Sequence, residues 1–150
     1  MGRLQGLRIL IVEDDFFIAE DLAFALAEEG AVIEGPVGSL AEAMDLATRA
    51  THLDHAVLDV TLRREKIYHV AEILCRRAVP VTFLTGEPDG LPAGFDGVPV
   101  FGKPAAMGAI IDHLARARLQ PSSSRARSSA PSSGLPAGGM TGNRPSTSGA

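Results

Sequence analysis

Five side chains stand where their chemistry could be shared. Glu13 and Asp14 follow the apolar run "LRILIV", Asp59 lies near the end of "HAVLDV", Thr85 follows "VTFL", and Lys103 comes just after "VPVF". Carboxylates gathered in one crevice repel each other unless a cation lies between them. A hard divalent ion such as Mg²⁺, which takes carboxylate and carbonyl oxygens and keeps several waters, is the natural counter-charge. A hydroxyl and an ammonium on the same rim would add contacts for an anion beside that metal. Taken singly, each piece has an ordinary structural explanation. Acidic residues favour helix starts through the dipole, Thr-Gly is a common turn, and Lys-Pro is common in loops. The signal is the joint occurrence of an acidic pair after the first strand, Asp after the third, Thr-Gly after the fourth and Lys-Pro after the fifth.

The elements that must position them can be read from the same sequence. Short β-rich runs at 7–12, 31–36, 55–60, 81–84 and 98–101 alternate with helical patterns. The first, third and fourth are almost continuously apolar, as strands covered on both faces are, and the alternation with helices predicts a parallel sheet with right-handed crossovers. Pro99 has no backbone donor and belongs on an edge strand; the run ending in Gly35-Pro36 reads as the other edge. Three central strands then carry Glu13, Asp14, Asp59 and Thr85 to the carboxyl end of an open sheet, where such folds bind ligands.

Helix signals support the same layout. The first helix is predicted from about Asp15 to Glu29, stopped by Gly30, with Ile18, Leu22 and Ala25 inward and Phe17 and Phe24 turned away. "SLAE" is a capping box with Ser39 as N-cap, opening a helix with Leu40, Ala43, Met44 and Ala47 on one stripe. A third helix, Ile67 to Ala78, aligns Ile67, Val70, Ala71, Leu74 and Ala78; the last aligns Met107, Ile110, Ile111 and Leu114. Between Thr85 and Lys103, "GEPDGLPAGFDGVP" repeats helix breakers so often that a turn-rich loop with at most a short helix is expected.

Composition bounds the function. The 150 residues are 45% hydrophobic and 21% charged, within the range of one globular domain. From Pro121 onward the segment is Ser/Pro/Gly-rich, with Arg125, Arg127 and Arg144 as its only charged side chains. It reads as a disordered tail over 121–150, leaving the domain at 1–120. Since the whole chain carries −4, the domain carries about −7, which disfavours nucleic acid as a partner. No run approaches the roughly 18 apolar residues of a membrane span, and no secretory signal opens the sequence, so the expectation is a cytoplasmic protein without a membrane partner. Cys75 is the only cysteine and reads as a small core residue. His52, His55, His69 and His113 show no ligand spacing and read as structural or exposed.

Together, "ILIVEDD", "VLDV", "FLTG" and "FGKP" resemble the receiver domain of bacterial response regulators, over about Leu7 to Leu119. The resemblance implies a flavodoxin-like (CheY-like) α/β fold with a five-stranded parallel sheet in the order 2-1-3-4-5. It implies Mg²⁺ held by Glu13, Asp14, Asp59 and the Thr61 backbone carbonyl, with Asp59 as phosphoacceptor. Thr85 and Lys103 would contact the phosphoryl oxygens, and the Lys103-Pro104 peptide would be cis. A histidine kinase or histidine phosphotransfer protein would be the phosphoryl donor, with a downstream protein target in turn, and the protein would be a monomer or weak homodimer. No output module has room after Leu119 in this sequence, which points to a stand-alone receiver that phosphorylates and dephosphorylates itself and is otherwise no enzyme.

Several positions depart from the family pattern. Val100 stands where many receivers have a Tyr or Phe reporter; Phe101 is one position off and so on the other face of its strand. Position 105 is Ala, and the loop after Asp59 reads "VTLRREKIYHV". Arg63, Arg64 and Lys66 in that loop either help admit a phosphoryl donor or are solvated charges. Phe17 and Phe24 mark a docking face for the donor or are covered by neighbouring loops or a dimer mate. Two other functions stay open: a metal-dependent phosphohydrolase with an Asp nucleophile, against which stands Thr61 in place of an acid/base Asp, and a phosphate-independent scaffold.

Overall fold

The computed structural model describes residues 2–87, 91–104 and 106–119; the segment read as a tail lies outside the described residues. In chain order the elements are β1 (Arg8–Val12), α1 (Phe16–Glu28), β2 (Val32–Val37), α2 (Leu40–Arg49), β3 (His55–Asp59), β4 (Thr61–Leu62), β5 (Glu65–Lys66), α3 (Tyr68–Arg76), β6 (Val81–Thr85), β7 (Val100–Gly102) and α4 (Met107–Arg118). Five parallel strands form one sheet in the order β2-β1-β3-β6-β7, the flavodoxin-like order; β4 and β5 form a separate two-stranded hairpin.

The apolar strands alternate between two cores, because successive strand side chains point to opposite faces. Leu10, Val12, Ala56, Leu58 and Phe83 pack on one side with Ala43 and Ala47 of α2 and Val70, Ala71 and Leu74 of α3. Ile9, Ile11, Val57 and Leu84 pack on the other with Leu22 and Leu26 of α1 and Ile110 and Leu114 of α4. Val100 joins the first side and Phe101 the second, so the aromatic ring does lie on the face opposite Val100.

Both prolines sit at edges. Pro99 immediately precedes β7, and its carbonyl accepts from Phe83 N at 2.9 Å. Pro36 lies in β2, where the β1–β2 register shifts between Leu10 and Val12. Gly35 there has φ 89, and a Cβ would fall 2.9 Å from the Ile11 carbonyl oxygen. The Gly35-Pro36 and Lys103-Pro104 peptides are cis.

Two of the helices begin at side-chain caps. Asp15 caps α1, accepting from Phe17 N and Ile18 N at 2.9 and 3.1 Å, and Ser39 caps α2, accepting from Glu42 N at 3.2 Å. The buried stripe of α1 is Ala19, Leu22 and Leu26, with Ile18 and Ala25 only half-buried. The sequence offers neighbouring apolar pairs, Ile18-Ala19 and Ala25-Leu26, and periodicity does not choose the rotation; packing onto the sheet does. The third helix also ends earlier than expected. Ala78 is exposed at φ 60, and Val79 N bonds to Leu74 O at 2.9 Å while Ala78 N bonds to Cys75 O at 3.0 Å, a Schellman closure rather than a further helical turn.

Among the described residues between β6 and β7 there is no helix. Phe95 anchors that stretch instead. Its buried ring lies 5.4 Å from Phe83 and 5.4 Å from Tyr68. Cys75 is a free, half-buried thiol packed against this core. His55 is buried and its Nε2 lies 2.7 Å from Thr82 Oγ1.

Candidate functional site

The carboxyl ends of β1, β3 and β6 and the residue after β7 open into a cleft of about 550 Å³, whose walls include Glu13, Asp14, Asp59, Thr61, Thr85 and Lys103. All six residues singled out in the sequence therefore meet at one place. Glu13 and Asp59 are buried and Asp14 is exposed; one carboxylate oxygen from each lies within 4.8 Å of the others.

Backbone bonds hold the tips in register. Glu13 N donates to Val37 O at 2.9 Å, pinning the end of β1 to the edge strand, and Lys103 N donates to Thr85 O at 2.9 Å. Lys103 Nζ then reaches back into the cleft, 3.0 Å from Glu13 Oε1, 2.8 Å from Glu13 Oε2 and 3.0 Å from Asp59 Oδ2. Asp59 Oδ1 accepts from Thr61 N at 3.3 Å and Glu13 Oε1 from Asp15 N at 3.0 Å. Thr85 Oγ1 accepts from Glu87 N at 3.0 Å, which keeps its hydroxyl at the cleft wall.

The acids respond to this crowding. Burial pushes Glu13 up to about 7, with the Lys103 and Asp15 bonds opposing it. Burial likewise raises Asp59 against the pull of Lys103. For Lys103 burial acts downward, but the bonds to Glu13 and Asp59 outweigh it and hold the ammonium above its usual range. Asp14 moves the other way: the amide of Arg63 and its neighbours outweigh partial burial and lower it.

This donor set fits a hard divalent cation. Three carboxylates converge on one point, and Glu13 Oε2, though 2.8 Å from the Lys103 ammonium, is buried and has no hydrogen bond of good geometry. A buried carboxylate oxygen without a directed donor is the kind of atom a cation would satisfy.

The hairpin of β4 and β5 was not legible in the sequence. Its two central residues, Arg63 and Arg64, have φ 46 and 74, the pattern of a type I′ turn, which ordinarily announces itself with Asn-Gly. "RR" carries no such signal. The turn brings Arg63 N to Asp14 Oδ2 at 3.0 Å and sets Lys66 opposite Thr61, with Lys66 Nζ 2.8 Å from Thr61 Oγ1. Lys66 lines the cleft, whereas Arg63 lines a neighbouring groove with Phe16, Phe24 and Pro36. Phe17 and Phe24 are exposed on α1, and Phe16 is exposed beside them.

Comparison with known proteins agrees with the geometry. No protein-family model matches the chain. A 79-residue stretch is 40% identical to the transcriptional regulatory protein PdtaR of Mycobacterium tuberculosis, taking in 52% of this chain and 38% of that protein, so the match spans well under half of that relative's length. Among solved structures, SdrG from Sphingomonas melonis is 36% identical, covering 77% of this chain and 97% of that one with a TM-score of 0.65. The non-phosphorylated receiver domain of HemR from Leptospira biflexa is 27% identical over 77% of this chain and 96% of that one, with a TM-score of 0.66. Likeness at this level of identity, across nearly the whole of a relative and in a shared sheet order, places the chain in the response-regulator receiver (CheY-like) family of two-component signalling.

Proposed function

We propose that this protein is a phosphoryl-accepting switch in which Asp59 takes a phosphoryl group from a phosphohistidine on a histidine kinase or histidine phosphotransfer protein. The observation that carries the reading is the convergence of buried Asp59 with Glu13 and Asp14 within 4.8 Å, with the Lys103 ammonium 3.0 Å from Asp59 Oδ2. In the transfer, an Asp59 oxygen bonds to phosphorus as the donor's phosphorus–nitrogen bond breaks, and the electron pair stays with the imidazole. Such chemistry needs alignment and charge neutralisation more than covalent help. Glu13, Asp14, Asp59 and the Thr61 carbonyl would hold Mg²⁺, which when bound supplies positive charge against the incoming phosphoryl oxygens. Lys103 supplies a second positive charge from the opposite wall, and the Thr85 hydroxyl is placed to accompany the group once it arrives. Gly86 leaves space beside it, since a Cβ there would meet nothing within 4 Å.

The exposed Phe17 and Phe24 on α1 offer an apolar face for the donor's helix next to the acidic tips. The proposed role is that of a switch and not of a turnover enzyme. Among the described residues no helix is long and apolar enough to cross a membrane.

Incubation with acetyl phosphate and Mg²⁺, followed by intact mass, tests the reading. A single phosphoryl adduct is expected on the wild type, absent in Asp59→Asn and lost with chelator. Adduct formation in Asp59→Asn, or none in the wild type, would refute it. Steady release of phosphate from monoesters would favour a phosphohydrolase instead.

A further inference from the structure

An exposed lysine on a hairpin is ordinarily a solvated charge, but three observations set Lys66 apart. The first is placement: the β4–β5 register pairs Lys66 with Thr61, two residues after Asp59, and the Lys66 side chain turns inward to Thr61 Oγ1 at 2.8 Å. The second is availability. None of the ion pairs among the described residues involves Lys66, whereas Lys103 is already engaged by Glu13 and Asp59. The third is its share of the cleft: among the described residues, Lys66 and Lys103 are the two basic ones on its wall, and Arg63 faces the neighbouring groove.

The charge balance gives that ammonium, hydrogen-bonded to Thr61 but in no ion pair, a role. Ionised Glu13, Asp14 and Asp59 against Lys103 leave two net negative charges, which one divalent cation cancels. Converting the Asp59 carboxylate into an acyl phosphate then adds about one more negative charge, and Asp15 and Glu87 at the same wall deepen the excess. Among the described residues on this wall, Lys66 is the basic side chain that makes no ion pair, its ammonium being held by the Thr61 hydroxyl.

Resting on the phosphoacceptor reading above, we propose that Lys66 is a second anion-contacting cation of this cleft, leaving the Thr61 hydroxyl to meet an outer phosphoryl oxygen once Asp59 carries the group. The hairpin serves as its mount. A two-residue turn holds β5 against β4 closely enough that a flexible lysine stem spans the remaining distance, and the Arg63 amide on Asp14 ties the same hairpin to the acidic tips.

The test is titration of the full chain, in excess Mg²⁺, with beryllofluoride as a stable stand-in for the phosphoryl group, followed by NMR or calorimetry. Lys66→Gln is expected to weaken uptake about fivefold, the scale of one solvent-accessible charge contact. Lys66→Arg should restore it to within about twofold, Arg64→Gln should leave it unchanged, and added salt should narrow the gap between wild type and Lys66→Gln. Thermal unfolding of each variant guards against a folding defect. Equal affinity in wild type and Lys66→Gln would overturn the inference. So would an equal loss in Arg64→Gln, which would mean a diffuse field and not a contact. The two levels of reading fail differently: no uptake by the wild type, or uptake by Asp59→Asn, defeats the phosphoacceptor role itself, while normal wild-type uptake indifferent to Lys66 defeats only this proposal.

Discussion

Replacing Lys103 by Met keeps the stem and removes the charge that the two buried carboxylates face. The Glu13 side chain is fully buried, that of Asp59 is 5% exposed and that of Lys103 is 21% exposed, so solvent does little to screen the change. With the ligand oxygens within 4.8 Å, two ionised carboxylates at an effective dielectric of about 20 repel by about 3.5 kcal/mol. Breaking a buried pair from one side typically costs about 3 to 5 kcal/mol, but Lys103 is partly open and Glu13, without it, takes up a proton instead of staying charged, so a loss of about 2 kcal/mol at pH 7.5 without divalent cation is expected. At pH 5.5 the loss should shrink to about 1 kcal/mol. Glu13, with its pKa pushed up to about 7, is then largely protonated, and only Asp59 misses its counter-charge. A raised carboxyl contributes stability that falls as pH rises from its unfolded value through its folded one, and the Lys103→Met variant steepens that fall. Mg²⁺ should restore more stability to Lys103→Met than to the wild type, because the cation takes over the neutralisation. Urea unfolding followed by far-UV circular dichroism at the two pH values, with and without Mg²⁺, measures all of this; no tryptophan is present for a fluorescence readout. A variant as stable as the wild type at pH 7.5, or equally damaged at both pH values, would show that the charge contacts do not carry the energy assigned to them.

Three further outcomes follow from other parts of the molecule. Phe95→Ala removes the ring that closes the Tyr68–Phe83 cluster and should cost about 3 kcal/mol in the same urea assay; a loss under about 1 kcal/mol would mean that the stretch between β6 and β7 is not anchored there. Arg64→Gly relieves a left-handed non-glycine residue at φ 74 and should raise stability by about 1 kcal/mol, read as a higher urea midpoint, whereas a lower midpoint would contradict the type I′ assignment. Burial, with help from Arg116, lowers the pKa of His113, so its folded imidazole resists a proton that the unfolded one accepts near the ordinary 6.5. Its stabilisation is present above that pH and lost as pH falls through the folded value; His113→Leu should flatten the difference below pH 6.5, and an unchanged profile would reject this.

Much of the fold was legible because its determinants are local. Continuous apolar runs named β1, β3 and β6 as central, Pro99 and Pro36 named the edges, and Ser39 three residues before Glu42 named a helix start. The rotation of α1 was not legible, since Ile18 and Ala19 are equally apolar to a periodicity count and only the sheet distinguishes them. Nor was the left-handed closure at Ala78, where neither Gly nor Asn stands to signal it.

For the site, the sequence by itself determined which groups stand at the strand ends: Glu13, Asp14, Asp59, Thr85 and Lys103 follow from strand boundaries and parallel topology alone. Only the tertiary structure decided how they bond. Lys103 lies 90 residues from Glu13 and yet shares both of its oxygens, while Arg63 reaches Asp14 from 49 residues away. The Arg63–Asp14 and Lys66–Thr61 contacts depend on a turn whose residues do not advertise it. A side chain's type and its place on a strand are properties of a few neighbouring residues, but its partner is chosen by the closing of long loops, and no spacing along the chain records that choice.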